Sequence, residues 1–260
     1  MFRILVAIPV LLLLAVSSKA AVQTKKVSYK DGDLECHGYL AWDDAVKGAR
    51  PGVLVVHEWW GLNDYARKRA EELAKLGYVA FAADMYGQGK TVNHPKDAGE
   101  MAGKVRANVE DWRKRATAAL ETLKAQPQCD KTKLAAIGYC FGGSTALQLA
   151  FSGADLKAVV SFHGALPTPA PADVKQIKGT ILICHGADDS FIPEKAIKDF
   201  REALDKGGVK YDFVAYPGAK HSFTVADADK HGIDGLKYDK AADEDSWKRL
   251  QKLFADKLGK

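Results

Sequence analysis

The chain has 260 residues, 47% of them apolar, with 38 basic against 33 acidic side chains. Leaving out the two basic residues of the first 20, Arg3 and Lys19, reduces the basic count to 36 and the formal charge to about +3, too balanced for a surface that binds nucleic acid. The remaining 240 or so residues suffice for one large α/β domain over 21–260, and no repeat, low-complexity segment or linker divides them.

Residues 1–20 read as a secretory signal, with Arg3 as the positive start, Ile4 to Val16 as the apolar stretch and Ser18-Lys19-Ala20 as a small-x-small cleavage site. The stretch is short for a membrane span. The mature protein is therefore expected to be exported, periplasmic or secreted, with no stable membrane anchor and as a monomer.

Short β-rich runs then alternate with helical patterns, the signature of a mostly parallel sheet covered on both faces. Val27 to Tyr29 and Leu34 to Trp42, around Asp31-Gly32, predict an antiparallel hairpin. Val53 to Val56 predicts the third strand, and His57-Glu58-Trp59-Trp60-Gly61-Leu62-Asn63 the loop beyond its C-terminal end. Asp64 to Leu76 predicts a helix and Tyr78 to Phe81 a strand, followed by Asp84-Met85-Tyr86-Gly87, in which Asp84 reads as a carboxylate that structures its loop. Lys96 to Lys124 reads as one long helix with an apolar stripe at Val105, Val109, Trp112, Ala116, Leu120 and Leu123.

Next comes the string Gly138-Tyr139-Cys140-Phe141-Gly142-Gly143, between an apolar run at Leu134 to Ile137 and a helical pattern over Gly143 to Ser152. It has the form of a nucleophile elbow with cysteine in place of serine. Gly138 and Gly142 admit neighbouring backbone, so the turn can hold Cys140 in a strained conformation and push its sulfur into a cleft. Helix N-terminal amides there favour a thiolate.

Further strands are expected at Ala158 to Ser161, Ile181 to Cys184 and Tyr211 to Ala215, about eight in all, with helices at Glu194 to Lys206 and Asp243 to Leu258. In a hydrolase of this architecture the acid and then the base follow the nucleophile in chain order, each on a loop beyond a later strand. After Cys184 runs His185-Gly186-Ala187-Asp188-Asp189-Ser190-Phe191-Ile192-Pro193, where Pro193 suits the opening of a helix. Asp189 stands where the orienting carboxylate belongs, with Asp188 as the alternative. Beyond the last strand, Tyr216-Pro217-Gly218-Ala219-Lys220 delivers His221-Ser222-Phe223. The N–H groups of Phe141 and Trp59 are the expected oxyanion donors.

With Cys140 kept free and Cys184 inside the apolar run from Thr180, Cys36 with Cys129 is the one disulfide left open. No metal site is expected: His57-Glu58, His163 and the His185 to Asp188 stretch are separate loop elements without ligand spacing. The chemistry calls for no cofactor.

These motifs together resemble the dienelactone hydrolase family of α/β-hydrolases over essentially the whole mature length. The resemblance implies an α/β-hydrolase fold and a cysteine-histidine-aspartate triad at Cys140, His221 and Asp189. Glu58 matches the family's glutamate, which contacts the resting thiol and helps generate the thiolate when substrate binds. Two arginines that grip the substrate carboxylate in the best-known members correspond to Gln88 and Val225 here, so a dienelactone substrate does not follow.

The expected activity is hydrolysis of a small ester or lactone through a thioester. Trp60, Tyr86 and Phe223, with Trp59 and Phe141, are expected to line an apolar pocket, with Lys90 or Lys220 as anion partners. The segment 225–243, rich in Asp, Lys and Gly, predicts a polar excursion near the cleft. Two other classes remain open: an exported thiol redox protein, and a binding protein on a hydrolase scaffold.

Overall fold

A computed structural model describes residues 21–259; the export signal expected at residues 1–20 lies outside the described residues. The strands β1 (Val22–Asp31) and β2 (Leu34–Asp43) pair antiparallel over their full lengths. Gly32 turns the chain with φ +59°, a positive value that two-residue hairpin loops require.

Six further strands complete the sheet: β3 (Arg50–Val56), β4 (Val79–Ala83), β5 (Cys129–Tyr139), β6 (Ala158–Phe162), β7 (Thr180–Gly186) and β8 (Tyr211–Tyr216). Their order is β1-β2-β4-β3-β5-β6-β7-β8. From β4 to β8 every pairing is parallel, and only β2 runs against the other strands. A parallel sheet puts all its strand C-termini at one edge, so the loops after β3, β5, β7 and β8 gather there.

Strand side chains alternate between two cores. Leu54, Val56, Ala136, Val159, Ile181 and Ile183 face one, while Val53, Val55, Ala135, Ile137, Val160 and Leu182 face the other. The first core is covered by α2 (Pro95–Arg106), α3 (Val109–Lys124), α4 (Phe141–Phe151) and α6 (Glu194–Lys206), through residues such as Val105, Trp112, Leu147 and Phe200. The second is covered by α1 (Asp64–Lys75) and α7 (Lys240–Phe254), through Leu73, Leu250 and Phe254. A single turn, α5 (Pro171–Val174), links β6 to β7. The mostly parallel sheet with helices on both faces is the predicted fold class.

The long helix predicted over Lys96 to Lys124 is two helices. Asn108, with φ −129° and ψ 113°, accepts hydrogen bonds from the N–H groups of Glu110 and Asp111 and so restarts the chain as α3. The restart changes the phase of the stripe. Val109 ends up 43% exposed, while Trp112, Ala116, Leu120 and Leu123 are buried as expected.

The disulfide considered between Cys36 and Cys129 is absent, and all four cysteines are free. Cys36 lies on β2 and Cys129 on β5, with β4 and β3 between them. At about 4.8 Å per strand that is roughly 14 Å, twice the Cα separation a disulfide tolerates.

Candidate active site

Cys140 sits between β5 and α4 with φ +53° and ψ −112°, a conformation that costs a non-glycine residue about 1–3 kcal/mol. The surroundings enforce it. A Cβ on Gly138 would stand 1.9 Å from the Gly142 carbonyl oxygen, and one on Gly142 would stand 2.2 Å from that of Val56. Only glycines let the elbow close on itself and on β3. The Cys140 N–H donates to the Phe162 carbonyl at 3.0 Å, and its own carbonyl accepts from Gly143 N–H at 3.0 Å.

The loops after β7 and β8 meet at the same edge. His221 Nδ1 lies 2.7 Å from Asp189 Oδ2, and both side chains are buried. The other oxygen of Asp189 accepts from the Phe191 N–H at 3.0 Å, which fixes the carboxylate plane. Asp188, by contrast, is exposed. Burial by itself would lower the His221 pKa, but the adjacent Cys140 sulfur and the Asp189 carboxylate push it up to about 10. A thiol, an imidazole and a carboxylate so arranged can relay a proton to and from a reacting carbonyl group.

The excursion over 225–243 is stitched to this histidine. His221 N–H donates to the Gly235 carbonyl at 3.1 Å and its carbonyl accepts from Lys237 N–H at 3.1 Å. Within the excursion, Val225, Ala228 and Leu236 form a small apolar cluster of their own.

Glu58 is buried at the end of β3, and its Oε1 accepts a hydrogen bond from Ser222 Oγ at 2.8 Å. Burial raises its pKa, opposed by the Ser222 bond and by His221. Asp84 accepts from the N–H groups of His37, Tyr86, Gly87 and Gly89 at 2.8–3.1 Å, which makes it the organiser of its loop.

A cavity of about 200 Å³ opens onto Cys140 and His221, walled by Trp59, Ala165, Phe191, Ile192 and Leu236, with Arg106 beside them. The expected lining is partly different. Trp60 turns away and stacks on His231, with ring centroids 4.2 Å apart. Phe223 is fully buried between Tyr216 and His163. Tyr86 stands behind the wall, its hydroxyl donating to the Trp59 carbonyl at 2.7 Å. Neither Lys90 nor Lys220 borders the cavity, and Lys220 pairs instead with Asp234 at 3.7 Å.

Arg106 is the residue that sequence reasoning missed. It is the last residue of α2, with its guanidinium 5.2 Å from the centroid of the Phe141 ring. The N-cap at Asn108, followed by two acidic residues, is the signal that would have ended the helix there.

The dienelactone hydrolase family profile matches residues 36–258. The chain belongs to the dienelactone hydrolase family. It is a hydrolase of ester or lactone bonds, and its fold is that of the α/β-hydrolases.

A Synechocystis sp. protein provisionally named a carboxymethylenebutenolidase is 30% identical, over 91% of this chain and 98% of its own. Among solved structures, a dienelactone hydrolase-like promiscuous phosphotriesterase from metagenomic libraries is 41% identical, covers 92% of this chain and 99% of its own, and superposes with a TM-score of 0.89. A Klebsiella pneumoniae dienelactone hydrolase family structure, 24% identical over 90% of this chain and 99% of its own, shares the fold at a TM-score of 0.74.

Proposed function

We propose that the protein hydrolyses small ester or lactone substrates by covalent catalysis at Cys140, with His221 as proton carrier and Asp189 as its orienting carboxylate. The observation that carries this reading is the 2.7 Å contact between His221 Nδ1 and Asp189 Oδ2, which leaves the other ring nitrogen for the neighbouring sulfur. Sulfur attacks the carbonyl carbon while the Phe141 and Trp59 amides hold the oxyanion. As the adduct collapses, the alcohol leaves with a proton from His221 and a thioester remains. Water then gives a proton to His221, attacks the thioester, and the acid departs as the thiol is restored.

Glu58 is assigned to thiol activation. A buried carboxyl whose pKa is raised can take up a proton, and its seat against Ser222, next to His221, supports that role. The cavity volume favours short acyl or alkoxy groups, and Arg106 at its edge favours substrates with an acidic substituent. Activated phosphotriesters belong in the same screen, because the metagenomic relative is described as acting on them and a thiol can also attack phosphorus.

The test is Cys140→Ala assayed with p-nitrophenyl acetate. The variant should fold and lose turnover, and only the parent should gain the mass of one acetyl group during turnover. A variant that keeps the parent's rate would end the proposal. Residues 1–20 are proposed to direct export and to be removed. N-terminal sequencing of periplasmic protein should begin at Ala21, and an intact Met1 in cytoplasmic protein would exclude this.

A further inference from the structure

His57 follows β3 directly and is fully buried, beside the elbow whose strand β5 pairs with β3 at Val56 and Gly138. Its two ring nitrogens have different partners. Nε2 lies 3.2 Å from the Met85 N–H and accepts from it, so Nδ1 must carry the proton, and Nδ1 donates to the Glu58 carbonyl oxygen. Burial lowers the pKa of this imidazole to about 4, the Glu58 and Asp84 interactions opposing, so the ring is neutral and keeps this tautomer near neutral pH.

The Glu58 carbonyl belongs to the same rigid peptide plane as the Trp59 N–H. In a trans peptide the two groups point in opposite directions. Donors that pin the carbonyl on one side therefore set the direction of the N–H on the other; this carbonyl accepts from His57 Nδ1 and, at a longer 3.3 Å, from the Gly61 N–H. The same imidazole lies against the ring of Phe141, with centroids 5.8 Å apart and planes inclined by 25°. Among the described residues, the N–H groups of Trp59 and Phe141 donate to no other protein group. Tyr86 holds the next carbonyl along, that of Trp59, through its hydroxyl at 2.7 Å.

We propose that His57 is a positioning residue for the oxyanion site: through its bond to the Glu58 carbonyl and its contact with Phe141, it aligns both amide donors. The inference rests on the thiol mechanism proposed above. His57 never touches substrate; it acts by fixing one peptide plane and bracing the residue that bears the second donor. Misalignment of such a donor weakens an interaction made chiefly in the transition state, so it lowers kcat more than it alters KM.

The test compares three full-length variants. His57→Phe keeps an aromatic ring over Phe141 but offers no donor to Glu58. His57→Asn keeps an N–H near the position of Nδ1, and His57→Leu has the same branching as Asn without it. Turnover of p-nitrophenyl acetate is measured beside the rate at which iodoacetamide alkylates Cys140, a displacement at a saturated carbon that uses no oxyanion site.

His57→Phe and His57→Leu should lose about a hundredfold in kcat, with KM and the alkylation rate within about threefold of the parent. His57→Asn should recover at least tenfold of that loss. Equal kcat values for the Asn and Leu variants would overturn the inference, whether or not the Phe variant folds. So would an alkylation rate that falls as far as kcat, since the defect would then lie in the thiol. Turnover surviving in Cys140→Ala would instead defeat the mechanism itself, independently of His57.

Discussion

Nδ1 of His221 and Oδ2 of Asp189 lie 2.7 Å apart, at a point where neither side chain is appreciably exposed to water. The contact spans two loops, yet it fixes the ring, with Nδ1–H toward the carboxylate and the other nitrogen toward the Cys140 sulfur. Asp189→Asn should therefore lower kcat for p-nitrophenyl acetate by about a hundredfold or more, because the amide can present N–H and stabilise the wrong tautomer. Asp188→Asn, at an exposed position, should stay within about twofold. Equal effects in the two variants would remove Asp189 from the mechanism.

Glu58 has a pKa raised by burial. Its folded form therefore holds a proton more tightly than its unfolded form, and the associated stability is present at acid pH and lost as pH rises through the folded pKa. Glu58→Gln should raise the melting temperature relative to the parent more at pH 8 than at pH 4, while reducing kcat. A melting-temperature difference that does not change with pH would contradict the buried-carboxyl account.

Three buried histidines act in the opposite direction at acid pH. Burial lowers the pKa of His57 to about 4, and it also lowers those of His163 and His185. The unfolded chain takes up protons below about pH 6.5 that the folded chain refuses, so these groups reduce stability as pH falls from there. For His57 the loss approaches about 3 kcal/mol by pH 4. Urea unfolding at pH 7, 5.5 and 4.5 should show the decline, and His57→Asn should make it shallower. A parent-like slope in that variant would show that His57 does not carry the effect.

Arg106 borders the cavity beside Cys140 and makes a cation–π contact with Phe141. Arg106→Ala should raise KM for a carboxylate-bearing ester by about fivefold, the scale of one solvent-accessible ion pair. A neutral ester of the same size should respond less, and the difference should shrink at high salt. Steady-state kinetics on the matched esters at two ionic strengths would measure both.

What could be read from the sequence was whatever rests on local chemistry. Gly138, Gly142 and the run before them specify a strand, a bend and a helix, because only glycine tolerates the 1.9 Å and 2.2 Å approaches found there. The alternation of apolar runs with helical patterns specifies a parallel sheet, and such a sheet carries the loops after β3, β5, β7 and β8 to one edge. His221 and Asp189 could thus be paired from their order alone.

The tertiary structure decided what depends on the direction of a side chain or on separation across the sheet. Whether Trp60 faces the cavity or stacks on His231 is a matter of packing against a segment some 170 residues later. Arg106 reaches the site because Asn108 ends one helix and starts another, which a hydrophobic period running through both obscures. Cys36 and Cys129 remain apart because β4 and β3 both lie between their strands in the sheet. Bends and strand–helix patterns are set by neighbours in sequence; these three outcomes are set by neighbours in space, which exist only once the sheet has formed.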